Sequence, residues 1–177
     1  MSRVPDLRVD QLSPEERALH DKIVSVRSGV IRGPYAIWLR IPSVAEAANQ
    51  LGSSLRLQGM LPKRVFELIV LTVARHWNAD YVRVAHEKAA RDAGLTDEAI
   101  VAVREGRKPQ FSRIDEAVAY QATLELCEDH DISQVTYDRV VEVLGLNQTI
   151  ELVTTAGYYT TAAMMVKAFK ISEPQPG

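Results

Sequence analysis

Residues 61–95 read LPKRVFELIVLTVARHWNADYVRVAHEKAARDAGL, and this stretch decides the fold. Apolar residues cover almost every side of its first half, which predicts a helix buried on most sides. A tight bend at 77–80 leads into a second helix, and Gly94 marks where that helix ends. Two helices joined by so short a connection fold back antiparallel. The stretch therefore predicts a helical hairpin at the centre of the protein.

Two ionisable side chains belong to this hairpin. Glu67 lies within an apolar run, and His86 lies on the second helix. A buried carboxylate must be paired or protonated, because burying it alone costs several kcal/mol. The fold-back brings Glu67 toward His86, and such a pair can transfer protons. Two structural interpretations stay open: Glu67 forms an ion pair with Arg64, with Arg75 or with another chain, or His86 is an ordinary core histidine.

Arg83 precedes His86 by one helical turn, so both side chains can address one cavity. A guanidinium grips a carboxylate with two hydrogen bonds, which suits an anionic substrate. The alternative is a surface ion pair between Arg83 and Glu87, four residues later. His76, at the end of the first helix, is a further candidate for substrate contact.

Aromatic residues supply candidate walls for such a cavity. Tyr35 and Trp38 belong to a short apolar segment that is too small to be a core of its own, and Tyr81 opens the second helix of the hairpin. We expect these three side chains to exclude water from the site.

Tyr158 and Tyr159 follow Gly157 in a long apolar helix. Adjacent residues of a helix point in different directions, so at most one of the two tyrosines is expected to reach a given pocket. The glycine suggests close approach of another helix or of a second chain, and packing is the favoured role of this segment.

Start and stop signals divide the rest of the chain into further helices. None of the segments alternates as a half-buried strand does, so the predicted fold class is all-α. Residues 1–12 are predicted to form an N-terminal arm, 13–171 a single helical domain and 172–177 a disordered tail. The other predicted helices span about 13–28, 43–55, 96–106, 112–130, 133–145 and 147–169.

Composition excludes several classes of function. The 177 residues carry a net charge of −2 without a basic run, which argues against nucleic-acid or membrane-surface binding. No apolar run approaches the length of a membrane span, and the N-terminus lacks the apolar region of a signal peptide. The single cysteine, Cys127, excludes an internal disulfide and fits a reducing compartment. A cytoplasmic protein is therefore predicted.

Few other motifs point to chemistry. His76 and His86 lie on different helices without a matching set of carboxylates, so no metal site is predicted. Neither a nucleophile elbow nor a phosphate-binding glycine loop is present in the sequence. Cys127 lies on an apolar helical face, where a buried structural thiol is favoured over a nucleophile.

From about residue 30 to 170 the chain resembles the carboxymuconolactone decarboxylase family, whose superfamily also contains alkyl hydroperoxidase D. The peroxidase branch carries a Glu, then Cys-x-x-Cys, then a His. Glu67 and His86 match the first and last of these at the family's spacing, whereas Ala79 and Val82 occupy the cysteine positions. The resemblance implies an alkyl hydroperoxidase D-like helical bundle that assembles as a homo-oligomer, a trimer or hexamer.

Dithiol peroxidase chemistry requires a pair of thiols, which this chain lacks. The resemblance implies instead the cofactor-free branch: a lyase or decarboxylase acting on a small anionic lactone or oxo acid. In it His86 is the general acid or base, Glu67 orients the imidazole and Arg83 adds a positive charge to the pocket. The alternatives are a non-catalytic helical binding or scaffold protein and, less favoured, a peroxidase-like protein using Cys127. An open cavity beside His86, Arg83 and Tyr35 favours the enzyme, whereas solid packing there favours the scaffold.

Overall fold

The computed structural model describes residues 2–5, 7–25 and 31–171, and all regular structure in these ranges is helical, as predicted. A 3-10 turn at Val9–Gln11 precedes the first α-helix, and a π-helical segment at Ser54–Gln58 continues the third. The α-helices of the described ranges are α1 Pro14–Ser25, α2 Pro34–Trp38, α3 Pro42–Ser53, α4 Lys63–His76, α5 Asp80–Asp92, α6 Asp97–Glu105, α7 Ile114–Glu128, α8 Gln134–Leu144 and α9 Leu146–Ala168.

The start of α1 follows the sequence signal closely. The Glu16 backbone N–H donates to the Ser13 hydroxyl, and the Ser13 backbone N–H donates to the Glu16 carboxylate, which forms a capping box. The helix reaches Ser25, and the predicted continuation over 26–28 lies outside the described residues.

Helix α4 is the axis of the bundle, and it packs against α5, α6, α7 and α9. Every residue from Val65 to Ala74 is buried, because neighbours cover the helix on all sides. The chain then turns at Trp77 and at Asn78, whose φ is +48°, before α5 begins. The predicted hairpin is confirmed, and it presents one side of α4 to α5 throughout.

The core consists of two clusters that share α4. The larger one fills the space between α4, α7 and α9, with Phe66, Ile69 and Val73 at its centre. The smaller lies under α6 and takes Leu68 and Leu71 from the opposite side of α4. This division explains why α4 is apolar nearly all round.

The two ends of the described chain lie side by side. Residues 2–5, within the predicted arm, lie against the end of α9: the Arg3 backbone N–H donates to the Phe169 carbonyl at 3.0 Å. The predicted tail at 172–177 lies outside the described residues. Within the described ranges, no helix combines the length and the apolarity that crossing a membrane requires.

Candidate active site

A cavity of about 450 Å³ opens beside the α4–α5 hairpin. Helix α2, the end of α3 with its π-helical continuation, α5 and α9 contribute to its wall. Small residues of α5 leave the space open. The charged and aromatic side chains in the wall belong to Glu67, His86, Arg32, Arg56, Tyr35, Tyr81, Tyr158 and Tyr159.

Glu67 and His86 meet at this cavity. Oε2 of Glu67 lies 2.7 Å from Nδ1 of His86, and the two side chains are 8% and 17% exposed. A carboxylate oxygen accepts, so Nδ1 of His86 carries the donated proton. Nε2 is then the ring nitrogen available to a ligand, and in the neutral imidazole it holds a lone pair.

The arginines considered as partners of Glu67 are engaged elsewhere. Arg64 forms ion pairs with Asp115 and with Glu116, the latter at 2.9 Å between Nε and Oε1. Arg75 donates to the side-chain oxygen of Asn78 at 3.0 Å. The carboxylate of Glu67 is therefore stabilised by the imidazole, as the fold-back predicted.

Tyr159 sets the plane of the imidazole. Its ring meets the His86 ring edge to face, with centroids 5.0 Å apart and an interplanar angle of 88°. The same ring contacts Phe66 in the core and Tyr158 beside it. Because Glu67 holds Nδ1 of His86 and the Tyr159 ring lies at right angles against the imidazole, the imidazole has little freedom to turn.

Two phenol groups meet in another part of the wall. The hydroxyl oxygens of Tyr35 and Tyr158 are 2.7 Å apart, and the Tyr35 hydroxyl lies 3.2 Å from the Ala48 carbonyl oxygen. A Cβ at Gly52 would stand 2.3 Å from the Tyr158 hydroxyl oxygen. Only glycine at 52 leaves room for this phenol.

The expectation that only one of the adjacent tyrosines reaches a given pocket is wrong. Both Tyr158 and Tyr159 line the cavity. Successive helical residues differ in direction by about 100°, but the cavity extends far enough around α9 to meet both rings. Another helix of this chain does not approach Gly157 closely, since no described atom lies within 4 Å of the position that its Cβ would take, and the second-chain alternative stays a prediction.

Arg83 is not part of the cavity wall, which corrects its predicted position. Its guanidinium bonds Asp80 at 3.0 Å and Glu87 at 2.9 Å, three residues before it and four after it on α5. Burial alone lowers the pKa of Arg83, but the hydrogen bonds to Glu87 and Asp80 outweigh this and raise it. The two local carboxylates hold the charge on the side of α5 outside the cavity.

Two further predicted contacts lie elsewhere. His76 is exposed and lines a separate pocket between α4, α6 and α7, so it does not meet His86. Trp38 is buried behind the cavity wall, with its ring edge to face against Tyr35 at 5.0 Å. It supports Tyr35 rather than lining the cavity itself. Tyr35 and Tyr81 do line it, as expected.

Among the described residues, the arginines that line the cavity are Arg32 and Arg56. Neither was predicted to belong to the site. Arg56 belongs to the π-helical segment. The wider turn of this segment does not follow the 3.6-residue period from which helices are predicted. Arg32 precedes Gly33, which has a φ of +61° and lies against Tyr81. The one available signal was the Arg-Gly-Pro-Tyr sequence, which marks a turn into α2.

Cys127 is buried in α7 and does not line the cavity. Burial, and after it the negative charge of Glu128, raise the pKa of its thiol to about 11. Thiolate chemistry is therefore disfavoured at this position. In the described part of the chain, no group of three or more His, Cys, Asp and Glu side chains is arranged to hold a metal ion.

Comparison with known proteins finds one family model that matches the part of the chain carrying this site. Residues 42–122 match the model of the carboxymuconolactone decarboxylase family, a range that includes both Glu67 and His86. No curated protein matches the chain significantly in sequence.

Solved structures share the fold at low sequence identity. A peroxidase-related protein from Ralstonia eutropha JMP134, described as an alkylhydroperoxidase AhpD core, has a TM-score of 0.81 and 16% identity, covering 98% of this chain and 93% of its own. A peroxidase-related protein from Silicibacter sp. TM1040 has a TM-score of 0.78 and 13% identity, with coverages of 98% and 92%. The debrominase Bmp8 in complex with 2,3,4-tribromopyrrole has a TM-score of 0.74 and 14% identity, with coverages of 98% and 94%. At these identities the likeness establishes the alkyl hydroperoxidase D-like fold alone.

Proposed function

Since residues 42–122 match the model of the carboxymuconolactone decarboxylase family, we infer that the protein is an acid–base lyase or decarboxylase of that family. Its substrate is a small anionic lactone or oxo acid. The observation that carries this proposal is the 2.7 Å contact between Glu67 and His86 at the wall of an open cavity. A purely structural buried pair needs no such opening.

His86 is the proton-transfer group of the proposed reaction. In a decarboxylation the bond between the substrate carboxylate and the neighbouring carbon breaks, carbon dioxide leaves, and the electron pair becomes an enolate. His86 enters this path as the imidazolium, and its Nε2 proton then reaches that carbon and leaves the neutral imidazole. In an isomerisation the same nitrogen first removes the proton and later returns it. Either path uses one imidazole and an enolate.

Glu67 acts through His86 rather than on the substrate. Its carboxylate keeps the proton of the neutral imidazole on Nδ1 and stabilises the imidazolium when Nε2 takes up a second proton. Because Glu67 is held within the buried face of α4, the carboxylate does not have to reorganise during proton transfer.

Arg32 and Arg56 take the role first expected of Arg83. Both line the cavity, whereas the Arg83 guanidinium is paired with Asp80 and Glu87. A positive wall favours a substrate carboxylate and also the enolate that forms from it. The tyrosines at 35, 81, 158 and 159 supply flat apolar surface for a ring-sized molecule.

A peroxidase-like function is the weaker candidate. The fold neighbours include peroxidase-related proteins, yet Ala79 and Val82 provide no thiol pair here. Cys127 is buried with a raised pKa and is remote from the cavity wall. A debrominase of this fold has been obtained in complex with a brominated pyrrole, which supports a ring-sized ligand without fixing the reaction.

We also propose that the protein is a homo-oligomer, a trimer or hexamer. Large apolar side chains are exposed around α3 and the segment after it, including Ile41 at 58%, Leu57 at 61% and Met60 at 59%. Light scattering on a sizing column tests this: a monomer at micromolar concentration contradicts it.

The function is tested by a screen of carboxylated lactones and β-oxo acids for release of carbon dioxide and, by NMR, for exchange of the α-proton with deuterium. The variant His86→Ala is expected to lose activity by about a hundred- to ten-thousandfold. His76→Ala is the matched control, because that histidine is exposed in a different pocket.

Turnover that survives in His86→Ala contradicts the assignment of His86. Turnover that disappears in Cys127→Ser favours the peroxidase-like alternative if it also consumes peroxide. A wild-type protein that binds these acids without converting them favours the binding or scaffold alternative.

A further inference from the structure

We propose that the hydroxyl groups of Tyr158 and Tyr35 form an oxyanion-binding site in the cavity, with Tyr158 as the donor. The ligand group is a delocalised oxygen anion, an enolate or a phenolate. The role of this site in a reaction rests on the proposed function, but its binding of an anion does not.

The direction of the hydrogen bonds follows from the three partners. A backbone carbonyl only accepts, so the Tyr35 hydroxyl donates to the Ala48 carbonyl oxygen, 3.2 Å away. The Tyr35 oxygen then accepts from Tyr158, whose hydroxyl oxygen is 2.7 Å away. Within this pair of phenols, the proton of Tyr158 is given to a neutral acceptor.

A charged oxygen competes well for that proton. Hydrogen bonds to an ionised acceptor are roughly twice as strong as those between neutral groups. Redirecting the proton requires rotation about a single C–O bond, while the ring of Tyr158 stays packed against Trp38 and Tyr159. The Tyr35 hydroxyl keeps its bond to Ala48 and holds the neighbouring oxygen in place.

Gly52 locates the phenol at the cavity wall. It lines the cavity, and its missing Cβ would stand 2.3 Å from the Tyr158 hydroxyl oxygen. The hydroxyl therefore occupies space at the wall that any other residue at position 52 would fill. Arg56, one turn further along, adds a positive charge to the same wall.

The phenol and the imidazole line the same cavity, and Tyr159 contacts both. The ring of Tyr159 contacts His86 on one side, with centroids 5.0 Å apart, and Tyr158 on another, with centroids 5.2 Å apart. A ligand that spans this wall would place an enolate carbon near Nε2 of His86 and an oxygen of the same delocalised anion at Tyr158. General acid–base catalysis and enolate stabilisation would then come from separate residues.

The test uses 4-nitrophenolate as a probe, with nitrobenzene as its uncharged counterpart. Binding of 4-nitrophenolate to the full-length wild-type protein is measured by the change in absorbance of the dye. Binding of nitrobenzene is measured by its competition with the bound dye. The variants are Tyr158→Phe, Tyr35→Phe and Gly52→Ala, and Tyr137→Phe is the control because Tyr137 is exposed on α8. Thermal unfolding of each variant verifies that it is folded.

Tyr158→Phe is expected to weaken 4-nitrophenolate binding by about ten- to a hundredfold and to leave nitrobenzene binding unchanged. Gly52→Ala displaces the phenol and has the same selective effect, so it keeps the test decisive if Tyr158→Phe folds poorly. Bound to the wild type, the dye ionises at lower pH than in solution, and this difference shrinks in Tyr158→Phe. Tyr137→Phe behaves as the wild type.

Equal 4-nitrophenolate binding by the wild type and Tyr158→Phe overturns the proposal, as does a wild type that does not prefer the anion to nitrobenzene. The probe is not converted, so these results are independent of turnover. If no acid is converted but Tyr158→Phe still selectively loses the dye, the proposed reaction fails and the oxyanion site stands. Once a substrate is found, Tyr158→Phe lowers kcat more than it raises KM.

Discussion

Nδ1 of His86 lies 2.7 Å from Oε2 of Glu67, across the interface between α4 and α5. This contact assigns the two nitrogens of the ring different tasks: Nδ1 holds the imidazole in place, and Nε2 is left for a ligand. It also explains how a carboxylate is retained in a helix whose residues are otherwise buried among apolar neighbours. The first prediction follows from it.

Glu67→Gln is expected to lower kcat by about a hundredfold or more with a smaller change in KM. The neutral amide no longer stabilises the imidazolium, and its NH₂ group can donate to Nδ1 and reverse the tautomer. The measurements are steady-state kinetics on a substrate from the screen and nitrogen-15 chemical shifts of His86, which report the protonated nitrogen.

Glu116→Gln is the matched control for this variant. Glu116 is as buried as Glu67: of the whole residue, 5% of Glu116 and 6% of Glu67 are exposed. It pairs with Arg64, however, and does not line the cavity. It is expected to lower stability while leaving kcat unchanged. If the two variants lose kcat equally, Glu67 has no special role at the site.

The second prediction compares two arginines. Arg56→Gln is expected to raise KM for an anionic substrate by about ten- to a hundredfold, the range for a lost hydrogen bond to a charged group. Arg83→Gln is expected to leave KM unchanged, because its guanidinium is committed to Asp80 and Glu87. The same comparison is made with 4-nitrophenolate when no substrate is known. A larger effect of Arg83→Gln would restore the role first expected of it.

The fold was predictable because its signals are local. The apolar surface of 65–74 and the short connection after His76 specify a buried helix and an antiparallel partner without any reference to the rest of the chain. The meeting of Glu67 and His86 follows from that same hairpin. Capping residues such as Ser13 mark helix starts by a mechanism that acts within four residues.

The cavity wall was less predictable, because it depends on how distant segments meet. Arg56 lines the cavity from a π-helical turn, and such turns leave no period in the sequence. Tyr158 lines it because α2 places Tyr35 against it and α3 offers a glycine. The ion pairs that hold Arg83 away from the cavity were predictable from the sequence, because its partners lie three residues before it and four after it on the same helix.

The third prediction concerns pH. Burial raises the pKa of Glu125, but hydrogen bonds from Thr136, Gln121 and Ser133 outweigh it and hold the pKa at about 2, below its ordinary value of 4.5. A pKa that is depressed in the folded state means stability that is present above pH 4.5 and lost as the pH falls from there toward about 2. Because Glu125 binds the start of α8 from α7, acid is expected to loosen α8.

Glu125→Gln is the variant that tests this. It is expected to lower Tm by about 2–8 °C at neutral pH, and the difference from wild type is expected to close as the pH approaches 2. Glu142→Gln is the control, because its ion pair with Arg139 is exposed and contributes little. A Tm difference that is constant across the acid range contradicts the assignment.

The last prediction uses two glycines in opposite situations. At Gly33 the φ is +61°, and a Cβ would stand 2.4 Å from the Tyr81 ring. Gly33→Ala is therefore expected to cost about 1–3 kcal/mol from backbone strain alone, and more where the ring resists displacement. Since Tyr81 lines the cavity, 4-nitrophenolate binding is expected to weaken as well.

Gly157→Ala is the matched substitution in the middle of α9. No described atom lies within 4 Å of the position that its Cβ would take. Alanine is there expected to stabilise the helix by about 0.5–1 kcal/mol, which raises Tm by about 1–4 °C for a domain of this size. Denaturation of both variants by urea and by heat gives the comparison.

A Gly33→Ala protein as stable as Gly157→Ala would mean that the turn into α2 and the contact with Tyr81 do not constrain the wall of the cavity. A Gly157→Ala protein that is destabilised would instead place α9 against a second chain in solution.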